Sequence, residues 1–293
     1  MSVKDEVKRR TPARARSSAA GIYHAARANP LYTGASKRWL MRSLPPEERS
    51  LVGSVQHAAS PNDSVSSGGW PHYLRVGLDA VRCIEAGLAA SGTAQPSTVL
   101  DMPCGWGRVM RFLAARLPDA ALTACDIVDD AVAFCARRFD ARPVRSTPSF
   151  SDLDLGERFD LIWCGSLVTH IDADGIDALL RLFARSLAPG GIAVVTAHGE
   201  EAARRARQGD DLYELAPGAA EALLARYEHD GFGFAELAGS LDVAGHPPTP
   251  YGISLSARAW MRAAAERARL REVHFAAHDW DGHQDVYGFR LER

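Results

Sequence analysis

The stretch Val99-Leu100-Asp101-Met102-Pro103-Cys104-Gly105-Trp106-Gly107-Arg108 decides how this chain is read. A short apolar run ends in an acid, a turn containing two glycines follows, and a helix is expected to begin near Trp106–Arg108. Glycine lets a backbone approach a ligand closely, and the start of a helix offers free N–H groups to a negative group. Nineteen residues past Gly107, a second apolar run ends in Cys125-Asp126-Ile127. An acid there accepts hydrogen bonds from both hydroxyls of a ribose, so the turn and the acid together suit an adenosine-containing cofactor.

The spacing argues against a dinucleotide. A G-x-G-x-x-G fingerprint needs a third glycine, where this chain has Met110. That glycine normally permits close helix–strand packing beside a pyrophosphate. An acid at the end of the first strand also counts against NAD.

Outward from this segment, strand and helix alternate. Strands are expected at Thr98–Asp101, Ala121–Ile127, Phe159–Cys164 and Ile192–Ala197, with helices at Tyr73–Leu88, Val109–Leu117, Asp130–Phe139 and Ile176–Leu187. A strand between Ala141 and Leu155 has to fit around Pro143 and Pro148. Pro189-Gly190-Gly191 stops the helix before it. After His198 the rhythm breaks into a helix (Ala219–Tyr227) and an aromatic turn (Phe232-Gly233-Phe234), then resumes as a helix (Ser256–Ala268) and two strands (Arg271–Ala277 and Gln284–Leu291). Alternating strands and helices of about ten residues point to βαβ units and a parallel sheet. The last two strands are linked too briefly for a parallel crossover and form an antiparallel pair.

The opening segment resembles motif I of the class I S-adenosylmethionine (SAM)-dependent methyltransferases, roughly apolar-apolar-Asp/Glu-x-Gly-x-Gly-x-Gly. Three further features match in order: Asp126 after the second strand, Phe159-Asp160-Leu161-Ile162-Trp163-Cys164 as the fourth, and Leu187-Ala188-Pro189-Gly190-Gly191 before the fifth. The short-linked final pair fits that family's antiparallel seventh strand. The resemblance covers about residues 72–199 and 251–293 and implies an α/β fold: a Rossmann-like, seven-stranded, mostly parallel sheet with an antiparallel last strand and helices on both faces. A helical N-terminal extension and an insert after strand five are added to it. It departs from the pattern at the first glycine, which is Pro103 here and has no N–H to give.

By the same resemblance, Asp101, Met102, Pro103, Cys104, Gly105 and Gly107 face the methionine end of SAM. Asp126 binds the ribose, Ile127 packs on the adenine, and residues around Thr147 and Pro148 edge it. Cys164, Gly165 and Ser166 line the floor near the methyl group. Simpler roles stay open: Asp101 capping the turn, Asp126 capping the next helix, Cys164 as a core thiol.

Methyl transfer is an in-line displacement in which alignment does most of the work. A hydroxyl nucleophile also benefits from a base, and histidine titrates in the right range. Open α/β sheets bind ligands beyond the carboxyl ends of their strands. The candidates there are His170, just past strand four, His198, directly after strand five, and His283, in the last hairpin link. No metal is expected: His170-Ile171-Asp172-Ala173-Asp174-Gly175 looks like half a calcium loop, but position twelve is Phe183. Asp172 or Asp174 is better read as a helix N-cap.

Composition narrows the partners. The 293 residues are 46% hydrophobic and 24% charged, which excludes a fibrous or wholly disordered chain. No apolar run approaches the roughly 18 residues of a membrane-spanning helix. The five cysteines are unpatterned and read as buried thiols in a reducing cytosol. Residues 1–42 hold ten Lys/Arg and two acids, leaving 24 against 34 in the rest. The expected organisation is a basic, loose to helical extension (1–70), a SAM-binding core (71–199), an insert (200–250) that selects the substrate and closes over it, and a C-terminal helix and strand pair (251–293). Tyr213, Tyr227, Phe232, Phe234 and Tyr251 give the insert aromatic surface, with Gly231 and Gly233 as hinges; a dimer contact is the other use for it. The reading favours a cytoplasmic enzyme methylating a small molecule, at a hydroxyl of a sugar or natural product. An RNA methyltransferase using the basic arm, or a non-catalytic SAM-fold protein, remains the alternative.

Overall fold

The structure is a computed structural model that describes residues 29–63, 69–93, 95–210, 215–216, 218–237 and 250–292. The basic arm before residue 29, Ser67-Gly68 of the expected linker, and Tyr213 lie outside the described residues. The chain falls into two compact units, residues 1–77 and 78–293.

In the first unit, α1 (Pro30–Met41) opens with Pro at its first position and Asn29 as N-cap, the Asn29 side chain accepting from the Leu31 N–H at 2.9 Å. It pairs with α2 (Pro46–Ser54), and Lys37 ties the two by donating to the Gly53 and Val55 carbonyls. The unit ends inside the long helix α3 (Trp70–Ser91).

The second unit is built on a seven-stranded sheet. Its elements in chain order are β1 (Thr98–Asp101), α4 (Met110–Arg116), β2 (Ala121–Asp126), α5 (Asp129–Phe139), β3 (Arg142–Arg145), β4 (Phe159–Cys164), α6 (Ala173–Ser186), β5 (Leu187–His198), α7 (Glu200–Arg207), α8 (Ala219–Asp230), β6 (Phe232–Glu236), β7 (Gly252–Ser256), α9 (Arg258–Arg267), β8 (Leu270–Trp280) and β9 (Gln284–Leu291). The sheet order is β3-β2-β1-β4-β5-β9-β8, with β9 antiparallel to both neighbours and the other pairs parallel. Strands fan out in opposite directions from β1 and β4, so the topological switch point lies where Asp101 ends β1.

Side-chain alternation puts helices on both faces. Leu100, Ile162, Val195 and Tyr287 point to one face, where α6 and α9 supply Ile176, Leu179, Leu180, Phe183, Met261 and Ala265. The α6 set recurs at three- and four-residue steps, so one stripe of that helix is buried, each large side chain contributing about 1.5–3 kcal/mol. On the other face Gly87 of α3 lies against Val194 and Ile192 of β5.

Several expected boundaries moved for physical reasons. Helix α4 starts at Met110, because Gly107 takes a left-handed φ of +77° that no helix start allows. Strand β5 begins at Leu187 and runs through Pro189-Gly190-Gly191, because buried Leu187 already pairs with Phe159 and the register shifts before Leu161; α6 accordingly ends at Ser186. The Ala141–Leu155 strand is only Arg142–Arg145, an edge strand, where Pro143 is tolerated. Phe232-Gly233-Phe234 is not a turn but the start of β6, which pairs antiparallel with β7. Gly233 is a close approach rather than a hinge, since a Cβ there would overlap the Leu223 carbonyl of α8. Gly252–Ser256 is strand, so α9 starts only at Arg258; Ser254 stays buried by donating to the Val168 carbonyl at 2.6 Å. Strand β8 extends to Trp280.

Candidate active site

The glycine turn hangs between two strands. The Met102 N–H donates to the Trp163 carbonyl of β4 at 3.0 Å, and the Cys104 N–H to the Cys125 carbonyl of β2 at 2.9 Å. Met102 and Cys104 are buried, whereas Pro103, which follows a cis peptide, and Gly105 are half-buried. Gly105 has φ +47° and open space around its Cβ position. At Gly107 a Cβ would overlap the Phe139 ring and meet Cys135 Sγ at 3.3 Å. Buried Arg111 holds the turn from behind, donating to the Gly107 carbonyl at 2.8 Å and the Trp106 carbonyl at 3.3 Å.

Two carboxylates stand at the strand ends. Asp126 accepts from the Gly105 N–H at 2.8 Å and from the Val128 N–H at 3.0 Å, so it braces the turn and the entry to α5 together. Each of its oxygens keeps a second lone pair. Asp101 is 1% exposed, and neither of its oxygens makes a hydrogen bond of good geometry; the Met110 N–H at the start of α4 is the one donor that eases its charge. Burial first, and then the Asp126 carboxylate, push Asp101 well above the usual carboxylate range. Burial also raises Asp126, against the N–H groups that stabilise its charge. Past Asp126, Ile127 is half-buried, and Val128 is 47% exposed, an apolar side chain in the open at the end of β2.

Beyond β4, the Cys164 thiol is fully buried and its pKa is raised by that burial. Gly165 lies under the Trp280 ring, at 2.9 Å from its Cβ position. Ser166 adopts φ +60°, a strained backbone for a serine. A closed network holds it there: its N–H donates to Thr196 Oγ1 at 2.9 Å, Thr196 donates to Gln284 Oε1 at 2.7 Å, and Gln284 Nε2 donates to Ser166 Oγ at 2.7 Å. Sequence reasoning missed Gln284, Trp280 and Arg111. None belongs to a motif, and only the β5–β9 register brings Gln284 opposite His198.

The three histidines come from different elements. His170 places Nδ1 2.8 Å from the Gly252 carbonyl, and its ring stacks on Tyr251 at 4.9 Å and 17°. His198 Nδ1 lies 3.3 Å from the Ser254 carbonyl, two residues along the same strand β7. His283 Nδ1 lies 2.9 Å from the Asp281 carbonyl. Carbonyls only accept, so each Nδ1 donates, and in the neutral ring Nε2 is the acceptor nitrogen. The His198 and His283 rings are 5.6 Å apart. Burial, with His283 and His170 nearby, drops His198 to about 3; burial also lowers His170. Asp172 is the N-cap of α6, accepting from the Gly175 N–H at 2.8 Å. Among the described residues no group of three His, Cys, Asp or Glu side chains is arranged as metal ligands, and no helix is long and apolar enough to cross a membrane.

A family described as a methyltransferase domain matches residues 99–191, the span from the glycine turn to the start of β5. Residues 99–191 are a methyltransferase domain. A solved structure gives the same fold. A SAM-dependent methyltransferase from Clostridium acetobutylicum is 13% identical, with TM-score 0.50, over 73% of this chain and 92% of that one. The CcbJ methyltransferase from Streptomyces caelestis is 20% identical with TM-score 0.47, over 72% and 95% of the two chains. The glycopeptide N-methyltransferase MtfA is 15% identical with TM-score 0.49, over 85% and 99%. No curated protein matches the chain. The methyltransferase domain contains both carboxylates, the glycine turn, Cys164–Ser166 and His170; His198 and His283 come from chain beyond it.

Proposed function

We propose that the methyltransferase domain binds SAM at the ends of β1, β2 and β4, and that the chain transfers the methyl group to a hydroxyl of a sugar-like or natural-product small molecule. The observation that carries this reading is Asp101. A buried carboxylate eased by no more than the Met110 backbone N–H, beside a second buried carboxylate, is expensive in the free protein. An arriving ammonium group satisfies Asp101, and a pair of ribose hydroxyls takes up the spare lone pairs of Asp126. Gly105 leaves room for the ligand, and Ile127 with exposed Val128 offers apolar surface for a base.

SAM, when bound, supplies a methyl group made electrophilic by its sulfonium. The chain's own residues hold the acceptor and take its proton. Gln284 and Thr196 fix Ser166 at the end of β4, and Trp280 excludes water from the Gly165 side. His170 and His283 carry acceptor Nε2 atoms able to receive a hydroxyl proton. His198, held at a pKa of about 3, is too weak a base for that step and serves as a hydrogen-bond acceptor.

The test is incubation of the protein with SAM and a panel of hydroxylated sugars, polyols and phenols, following S-adenosylhomocysteine release and product mass. Methylated product that disappears in His283→Ala or His170→Ala supports the reading. Methylation of RNA, with every small molecule left untouched, sinks it.

A further inference from the structure

A cavity of about 370 Å³ opens between the start of α6, helix α8, strand β6 and helix α9. Its volume lies within the range of small-ligand pockets. Phe232, Phe234 and Trp260 form the apolar wall, with the Phe232 and Trp260 rings stacked at 4.3 Å and 18°. Charged groups of both signs rim it: Asp174 from α6, and Arg226 and Asp230 from α8. Asp230 is engaged by His229 at 2.6 Å, and Asp172, also on the rim, is spent as the α6 N-cap. Asp174 and Arg226, by contrast, have no hydrogen-bond or ion-pair partner among the described residues. One unpaired carboxylate and one unpaired guanidinium, with the engaged Asp172 and Asp230 carboxylates beside them, therefore border an aromatic wall.

The cavity also adjoins a proposed catalytic residue. The Phe234 ring lies 2.8 Å from the Cβ position of Gly252, whose carbonyl holds His170 Nδ1. Asp172 follows His170 by two residues. A molecule seated against Phe234 would therefore be next to the turn that carries His170.

We infer that this cavity binds an amino-acid-like zwitterion with an aromatic side group, as the recognition end of the methyl acceptor. Arg226 takes the carboxylate, Asp174 takes the ammonium, and the Phe232, Phe234 and Trp260 wall takes the ring. Isolated charges of either sign leave one rim group unused, so a molecule with both is discriminated from an amine or an acid of the same shape. This inference rests on the methyltransferase reading above, and it narrows the acceptor from hydroxylated molecules in general to those bearing an aminated, carboxylated aromatic portion.

The experiment is calorimetric titration of the full chain, presaturated with S-adenosylhomocysteine so that the cofactor site is filled, with L-phenylalanine, phenethylamine and hydrocinnamate as probes. L-Phenylalanine is expected to bind about tenfold or more tightly than either singly charged analogue. Arg226→Ala should weaken L-phenylalanine and hydrocinnamate but leave phenethylamine unchanged, and Asp174→Asn should do the converse. Both side chains are exposed, so melting temperature should be unaltered. Equal binding of phenethylamine and L-phenylalanine, indifference to Arg226→Ala, or no binding of L-phenylalanine overturns the inference. A protein that binds S-adenosylhomocysteine but not L-phenylalanine loses only this inference. One that does not bind S-adenosylhomocysteine loses the reading beneath it.

Discussion

Asp101 sits with both oxygens buried and no well-formed hydrogen bond, next to Asp126, at the point where the strand order reverses. An acid whose pKa is raised by folding ionises at lower pH in the unfolded chain, so the fold loses stability as pH rises from about 4 through the folded pKa. Asp101→Asn removes that loss. At neutral pH it should leave the unfolding free energy unchanged or raise it by about 1–2 kcal/mol, while SAM affinity falls by about 1.5–3 kcal/mol. Denaturant melts and calorimetry on the same samples check both halves; a variant that loses stability and keeps affinity contradicts the assignment. The two glycines of the turn should separate likewise. Gly105→Ala meets no neighbour and carries only backbone strain of about 1–2 kcal/mol, yet it fills space on the turn that a ligand would use. Gly107→Ala drives a methyl group into Phe139 and should destabilise by about 2–5 kcal/mol whether or not ligand is present. Thermal melts with and without SAM distinguish the pair. Asp101, Asp126 and the glycines were legible in the sequence because short-range spacing defines them. Gln284 was not, because its role arises from strand register 118 residues away from Ser166.

At the level of elements, strand β7 does more than close the small sheet. Its Gly252 and Ser254 carbonyls, facing the same way, hold His170 and His198. His198 is kept neutral in the fold, whereas the unfolded chain takes up a proton below about pH 6.5. The stability it protects is complete above that pH and is lost as pH falls toward 3, by about 2 kcal/mol between pH 6.5 and 5. His198→Asn keeps a donor for the Ser254 carbonyl but cannot titrate, and it should flatten this acid limb in denaturant melts at stepped pH. An unchanged limb would assign the loss to another group. This strand went unread although Ile253-Ser254-Leu255-Ser256 alternates apolar and polar with a strand's period, and β6 was hidden because Phe-Gly-Phe looks like a turn. Phe159–Cys164 was legible to the residue because a central parallel strand is apolar on both faces.

The whole molecule is organised by strand order more than by any single motif. The order β3-β2-β1-β4-β5-β9-β8 sets the glycine turn, Asp126, Ser166 and the His198–His283 pair along the strand ends that face one side of the sheet. The fold class, though not that order, followed from motifs read in sequence: a lone glycine turn fits many folds, but the turn, the acid, the apolar fourth strand and the Pro-Gly-Gly segment in succession fit few. The pairing of the insert with Gly252–Ser256 was not readable, since the antiparallel partners, from Glu236 with Gly252 to Phe232 with Ser256, lie far apart along the chain and leave no periodic trace of one another. Cofactor identity is the claim on which the proposed chemistry depends. The measurement is calorimetric titration of the full chain with SAM and S-adenosylhomocysteine, with NAD as control and Asp126→Ala alongside. Saturable binding of both SAM species, none of NAD, and a loss of about tenfold or more in Asp126→Ala is the expected result. No binding of SAM, or binding of NAD in its place, would contradict it.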